Sequence, residues 1–323
     1  MNRRAVLLSS LTLAAATCLA TPAIAQSYPT KPITLIVPFG PGSGTDQQAR
    51  ILAQLLGDEL KVPVVVDNKA GASGFIAAQF VAKAAPDGYT ALVTTNTTHA
   101  ANEHLFKKIP YEPVKDYAPV GLLSRGQMLL LVRPDSPYRT LADLIAAAKK
   151  NPGKLNFGSG SSSSQVASEL LKQMAEVNMV NVPYKSNPLA ITDLLGGQLD
   201  FMFADSSTAL PQVLPGKLRA LAASGSTRLK AAPDVPTVAE AGVKGYDMTY
   251  WTAAYLPAGT PTPIVMQLNQ AINKVMALPA SKAFMDKASV ELFLSSPEGL
   301  AKHQAAESKK WGKVIREAGL QAE

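Results

Sequence analysis

Val37-Pro38-Phe39-Gly40-Pro41-Gly42-Ser43-Gly44-Thr45-Asp46 is the stretch that decides the fold. The apolar run 33–37 that leads into it reads as a buried strand. Residues 47–56 follow, with Ala49, Leu52, Ala53 and Leu56 at the i, i+3, i+4, i+7 spacing of an amphipathic helix. Thr45 is expected as the N-cap, Gln48 as its capping-box partner and Gly57 as the C-cap. A strand, a three-glycine loop and a helix start form the first unit of an alternating α/β chain. Glycines let backbone approach a ligand closely, and a helix start offers free N–H groups that suit a carboxylate or phosphate. The same glycines serve equally well as a tight βα turn with no ligand. The stretch is neither a P-loop nor G-x-G-x-x-G, and Pro41 removes one donor.

Outward from this unit the alternation continues. Strands are expected at 62–66 and 89–95, with an alanine-rich helix over 74–85 between them. Short strands separated by helices pair in parallel through right-handed crossovers, and ligands lie beyond the carboxyl ends of such strands. That rule gathers Phe39, Gly40, Gly44, Thr45, Asp46, Thr95, Asn96 and His99 on one rim. A second alternation opens with a strand over 127–132 and a helix over 140–150. A strand at 154–157 then runs into a second Gly/Ser loop, 158–164, before a helix over 165–176. Ser159, Ser161, Ser162 and Ser163 are its candidate ligand groups, since hydroxyls and free N–H groups hold a carboxylate without a buried cation. Strands at 179–182, 199–203 and 217–223 complete the pattern, with a helix opened by Pro188. Tyr184 and Lys185 follow one strand end, Ala204 and Asp205 another. Lys185 lines a cleft or stays solvated. Asp205 caps the next turn or selects a ligand amino or hydroxyl group. Phe39, Tyr250 and Trp251 are core residues or a clamp on a flat ligand.

The pattern predicts two lobes of mostly parallel sheet flanked by helices, the first of residues 26–126 and 249–323 and the second of 127–248. Two strand-like segments, 127–132 and 249–256, are the expected crossings, with hinges near 124–128 and 248–250. A cleft between lobes is a usual ligand site. Helices over 262–277, 281–288 and 297–318 should pack back on a lobe.

Residues 1–25 read as an export signal: Arg3 and Arg4, an apolar run over 5–20, and Ala23-Ile24-Ala25 as the cleavage site. The apolar run is broken by Ser9, Ser10, Thr12 and Thr17 and is shorter than the ~20 residues of a membrane span. The one cysteine, Cys18, lies inside this segment, so the exported chain forms no disulfide. Without Arg3 and Arg4 the 31 basic residues become 29 against 24 acidic ones, a net charge of +5. These charges are scattered, which argues against nucleic acid as a partner. No enzyme motif is present either. There is no G-x-S-x-G elbow, and the three histidines, His99, His104 and His303, show no H-E-x-x-H spacing. Neither a metal nor a cofactor is expected, nor catalysis; a secreted serine hydrolase built on the serine-rich loop is the alternative.

Several stretches resemble one family. They include Tyr28-Pro29-x-Lys31-Pro32-Ile33, Val37-Pro38-Phe39-x-Pro41-Gly42-x-x-x-Asp46 and Pro86-Asp87-Gly88-Tyr89. Val182-Pro183-Tyr184-Lys185, Asp193-Leu194-Leu195-Gly196-Gly197-Gln198-Leu199-Asp200 and Pro257-Ala258-Gly259-Thr260-Pro261 continue the series. Together they look like the periplasmic solute-binding receptors of tripartite tricarboxylate transporters, the Bug family, over essentially the whole exported chain. The resemblance implies a type II periplasmic-binding fold, the Venus flytrap. It implies a monomer with a small carboxylate held in the cleft by backbone N–H groups, hydroxyls and water. The implied partner is the membrane subunits of a transporter, or a membrane sensor. The family often has paired glycines at 42–43, a glycine at Ser186 and a histidine near Gln165, so the resemblance does not assign the ligand.

Overall fold

The computed structural model describes residues 28–320 and 322; the segment 1–25 read as an export signal lies outside the described residues. The chain runs β1 (Ile33–Val37), α1 (Gly44–Leu60), β2 (Val64–Asn68), α2 (Phe75–Ala82), β3 (Thr90–Thr95) and α3 (Asn102–Leu105). β4 (Tyr117–Val132) follows, then α4 (Leu141–Lys150), β5 (Asn156–Ser159), α5 (Ser162–Met174), β6 (Val180–Pro183) and α6 (Asn187–Leu195). β7 (Phe201–Asp205), α7 (Ser206–Val213), β8 (Arg219–Ala223) and β9 (Thr249–Pro257) come next. α8 (Thr262–Met276), α9 (Pro279–Ala288), β10 (Glu291–Leu292) and α10 (Pro297–Glu317) close the chain.

Strand order is β2-β1-β3-β9-β4-β7-β5-β6, with β8 and β10 also on β4. β1 pairs in parallel with β2 and β3, and β5 pairs in parallel with β6 and β7. Each parallel triplet is the βαβ pattern read from the sequence. Between the triplets lie two long antiparallel strands. β4 pairs with β9 from Tyr117 to Gln127, then with β7 and β8 from Met128 onward. One strand thus serves both halves, and the molecule is two-lobed. β4 begins ten residues before the strand expected at 127. Pro119 hid this start, because proline cannot donate to a ladder and argues against a strand. β9 does not cross: among the described residues it pairs with β3 and β4 alone.

Helices cover the faces of both halves. Leu52 and Leu56 of α1 are fully buried against β1, β3 and α8, each contributing about 1.5–3 kcal/mol by burial. α6 and α7 pack Ala190, Leu194 and Leu210 against β4 and β7 in the other half. α4 starts as its sequence suggests, with a Thr140–Asp143 capping box. α1 ends on Lys61 in the left-handed region, whose N–H reaches Gly57 O, so Gly57 lies within the helix and is not its cap.

Two polar knots hold the crossings. Ser124 Oγ on β4 lies 2.7 Å from Thr252 Oγ1 on β9. Ser224 Oγ accepts from Met128 N–H (2.9 Å) and donates to Met248 O (2.6 Å), joining both passages of the chain between the halves.

Candidate ligand-binding site

The start of α1 is built differently from its sequence reading. Gly42 has φ +79°, and the turn it makes leaves Ser43 extended as the N-cap, its Oγ accepting from Asp46 N–H at 3.3 Å. Thr45 is therefore inside the helix. The N–H groups of Gly44 and Thr45 precede the first intrahelical bond, Gln47 N–H to Ser43 O, and are free to meet a ligand. Asp46 braces the loop from below. Its carboxylate accepts from Gly42 N–H (2.8 Å), Arg50 Nε (3.0 Å) and Asn68 Nδ2 (2.8 Å). Asn68 Nδ2 also holds Phe39 O at 2.9 Å. Burial pushes the Asp46 carboxyl up, but the hydrogen bonds from Arg50, Gly42 and Asn68 and the Arg50 charge hold it below its ordinary value. Gln48 belongs to no capping box. It lies buried on the inner face, its Oε1 accepting from Thr252 Oγ1 (2.8 Å) and Ser124 Oγ (3.2 Å).

The second Gly/Ser loop divides between the end of β5, which takes Gly158 and Ser159, and the first turn of α5, which takes Ser162–Ser164. Ser161 is the N-cap of α5, and Ser164 completes the capping box, its Oγ accepting from Gly160 and Ser161 N–H at 3.0 Å. Ser162 and Ser163 form the first turn and reach across to the segment after β3. Asn96 Nδ2 donates to Ser163 Oγ (2.9 Å), and Ser162 Oγ donates to Asn102 Oδ1 (2.8 Å). Asp205 is the N-cap of α7, accepting from Thr208 N–H (3.1 Å) and Asn187 Nδ2 (2.9 Å) and from Ser207 Oγ.

These elements meet at glycines. A Cβ on Gly44 would overlap Asp205 Oδ1 and Ser207 Oγ; one on Gly160 would overlap the backbone between Ser186 and Asn187. Gly40 lies against Ser186. Between them is a cleft whose empty space, open mouth included, is about 590 Å³. Ser43, Gly44 and Thr45 of the α1 start, Thr95, and Ser161 and Ser163 of the α5 start line one part of it. Asn187, Asp205, Ser207 and Tyr250 line another, and Phe39, Met128, Phe284, Met285 and Val290 give an apolar wall. Among the described residues, no lysine, arginine or histidine lines it.

The structure thus brings Phe39, Gly44, Thr45, Thr95, Ser161, Ser163 and Asp205 together in one cavity. Ser159, Tyr184 and Lys185 line a neighbouring one that shares Phe39, Gly160 and Ser161 with the first. Tyr184 donates to Asp193 at 2.7 Å; burial and then that bond push its hydroxyl up to about 12. Other expectations are corrected. His99 is fully buried, stacked on Tyr255 at 4.0 Å between ring centroids, and burial pulls its imidazole down to about 3. It faces the core because the chain after β3 winds into a wide helical turn over Thr97–Ala101. Trp251 points away from the cavity and meets His303 edge-on. Ala204 is core, Asn96 and Ser162 are spent on bridging bonds, and Asp46 acts under the loop.

Residues missed from the sequence include Gln48, Ser124, Thr252, Asn187 and the α9 wall, whereas Tyr250, read as core or a ligand clamp, lines the cavity. Gln48 left a signal, since it sits on the apolar stripe of α1. α9 left none: it arrives from the far end of the chain.

Residues 48–320 match the profile described as tripartite tricarboxylate transporter family receptor. The chain belongs to that receptor family. BugT of Bordetella pertussis is 37% identical over 314 residues, 93% of each chain. Two solved structures from Rhodopseudomonas palustris share the fold. One, Rpa4515 with adipate, has a TM-score of 0.89 and 34% identity, covering 92% of this chain and all of that one. The other, MatC with bound malate, has a TM-score of 0.85 and 32% identity, covering 89% and 100%. The cavity lies between the halves, where the starts of α1 and α5 converge.

Proposed function

We propose that the protein is a periplasmic solute receptor that captures a small carboxylate between its lobes and presents it, unaltered, to the membrane subunits of a tripartite transporter. One observation carries this reading: a cavity where two long helices from opposite halves begin, lined by hydroxyls and free N–H groups and by no lysine or arginine among the described residues. Such a lining holds an anion through helix dipoles and charge-assisted hydrogen bonds, without the desolvation cost of a buried cation. The adipate and malate in the two R. palustris structures support the ligand class. The lobes are taken as 26–126 with 249–323, and 127–248, because β4 changes partners between Gln127 and Met128.

Thermal unfolding of the purified protein against a panel of mono- and dicarboxylates tests the proposal. A ligand at about a hundred times its Kd stabilises the folded state by ~2.7 kcal/mol, a readily measured rise in Tm. If no carboxylate raises the Tm while sugars or cations do, the reading fails.

A further inference from the structure

Part of the apolar wall of the cavity is a single layer of side chains. Met285 and Val290 line the cavity, and the same two residues line a second space, a groove that also takes in Thr227, Lys230, Lys282 and Asp286. α9 explains how one segment serves both. Phe284 belongs to the cavity side of the helix, Lys282 and Asp286 belong to the groove side, and Met285 sits on the boundary. Met285 is 3% exposed, whereas those four groove residues are exposed to solvent. An apolar partition thus separates the cavity from water beyond it. Its backbone is fastened at several points. Val290 N–H donates to Met285 O at 2.9 Å. Between them, Ser289 Oγ accepts from Ala231 N–H at 3.1 Å, which ties the end of α9 to the second half of the molecule. Just beyond, Glu291 accepts two bonds from Arg125 of β4, at 2.7 and 2.9 Å. With the chain so held, side chains rather than backbone decide where the cavity stops.

A carboxylate held at the starts of α1 and α5 leaves the rest of the ligand to lie along Phe39, Met128, Phe284, Met285 and Val290. Each methylene laid there is favourable until the chain reaches the partition. A longer chain must then displace packed side chains whose backbone is tied. A charged far end fares worst, because an ionised group pressed on apolar side chains loses its water and gains no partner. Removing the Met285 side chain relieves both effects. It joins the cavity to the groove, where a far carboxylate stays hydrated beside Lys230 and Lys282.

We infer that Met285, seconded by Val290, sets the greatest length of ligand that the protein accepts. This inference rests on the carboxylate-receptor reading above and deepens it. Isothermal titration of the purified protein tests it, using succinate, adipate, suberate and sebacate, with hexanoate as a chain that carries no far charge. Wild-type affinity should fall by about tenfold or more between two successive diacids, since each step adds two methylenes. Met285→Ala should move that fall to a longer diacid, and should bind the first diacid that the wild type rejects about tenfold more tightly than the wild type does. Val290→Ala, a smaller truncation of the same partition, should move the fall in the same direction. Circular dichroism checks the folding of both, and Val290→Ala decides the matter if Met285→Ala does not fold. A folded variant whose affinity falls at the same diacid as the wild type overturns the inference, as does a wild-type affinity that never falls up to sebacate. Either result leaves the carboxylate receptor standing, because carboxylates still bind. Binding of none of the five probes by the wild type removes both.

Discussion

Asp46 holds the first loop by three hydrogen bonds and touches no part of the cavity. Replacing it with alanine leaves Gly42 N–H, Arg50 and Asn68 without their acceptor. We expect a loss of about 1–3 kcal/mol in unfolding free energy and weaker ligand binding, read by thermal melts and calorimetry. Its lowered carboxyl makes the brace fully effective above the ordinary aspartate range, near pH 3.9, and lost as pH falls through the folded value. His99 acts in a different window. Its folded form stays neutral down to about 3, whereas the unfolded chain takes up a proton below about 6.5. Stability should therefore fall as pH drops from about 6.5 toward 3, by up to ~1.4 kcal/mol per unit. His99→Phe should flatten that part of a melt-against-pH curve; an unchanged slope would show that other groups set it. Sequence position alone put His99 on the cleft rim, because it follows a strand end. What it could not supply was the helical turn that carries the ring into the aromatic core.

Elements were easier to read than their ends. The alternation of strands and helices follows from hydrophobic period, and the Thr140–Asp143 box from two residue types at fixed spacing. The starts of α1 and α5 were misplaced by two and three residues, since serine and glycine fit a loop and a first helical turn equally well. In α5 the distinction matters for function, because helix geometry aims Ser163 and its neighbouring N–H groups at the cavity. Ser161→Ala should remove the N-cap and cost roughly 1 kcal/mol. It should also reduce ligand affinity. A destabilised protein with full affinity would mean that the α5 start does not contact the ligand. The α9 wall was illegible for another reason: it packs on α7 and α8 and comes to the cavity from far away in the chain.

At the scale of the molecule, the halves meet through small residues. Gly44 sits against Asp205 and Ser207, and Gly160 against the Ser186–Asn187 backbone, so these glycines permit a close approach of the two lobes. Gly44→Ala should be tolerated within α1 but should prop the lobes apart. X-ray scattering with ligand should then show a larger radius of gyration than for the wild type, and affinity should drop. For the wild type, ligand should decrease the distance between labels placed on the two halves, since only a closed cleft lets one molecule touch both helix starts. Equal distances with and without saturating ligand would exclude closure as the output. The Ser124–Thr252 and Ser224 knots bracket the segment that must bend.

The place of β9 between β3 and β4 has a consequence for how the chain is made. β3 ends at Thr95, and the strand that covers its edge begins at Thr249, about 150 residues later. At a synthesis rate of ~5–20 residues per second, that interval lasts roughly 8–30 s. Throughout it the β2-β1-β3 ribbon carries an open edge, while the intervening segment 127–248 already contains the partners of its own ladder. The lobe begun first is thus completed last, and a nascent chain arrested before residue 249 would be half native, with β3 exposed to pairing with other chains.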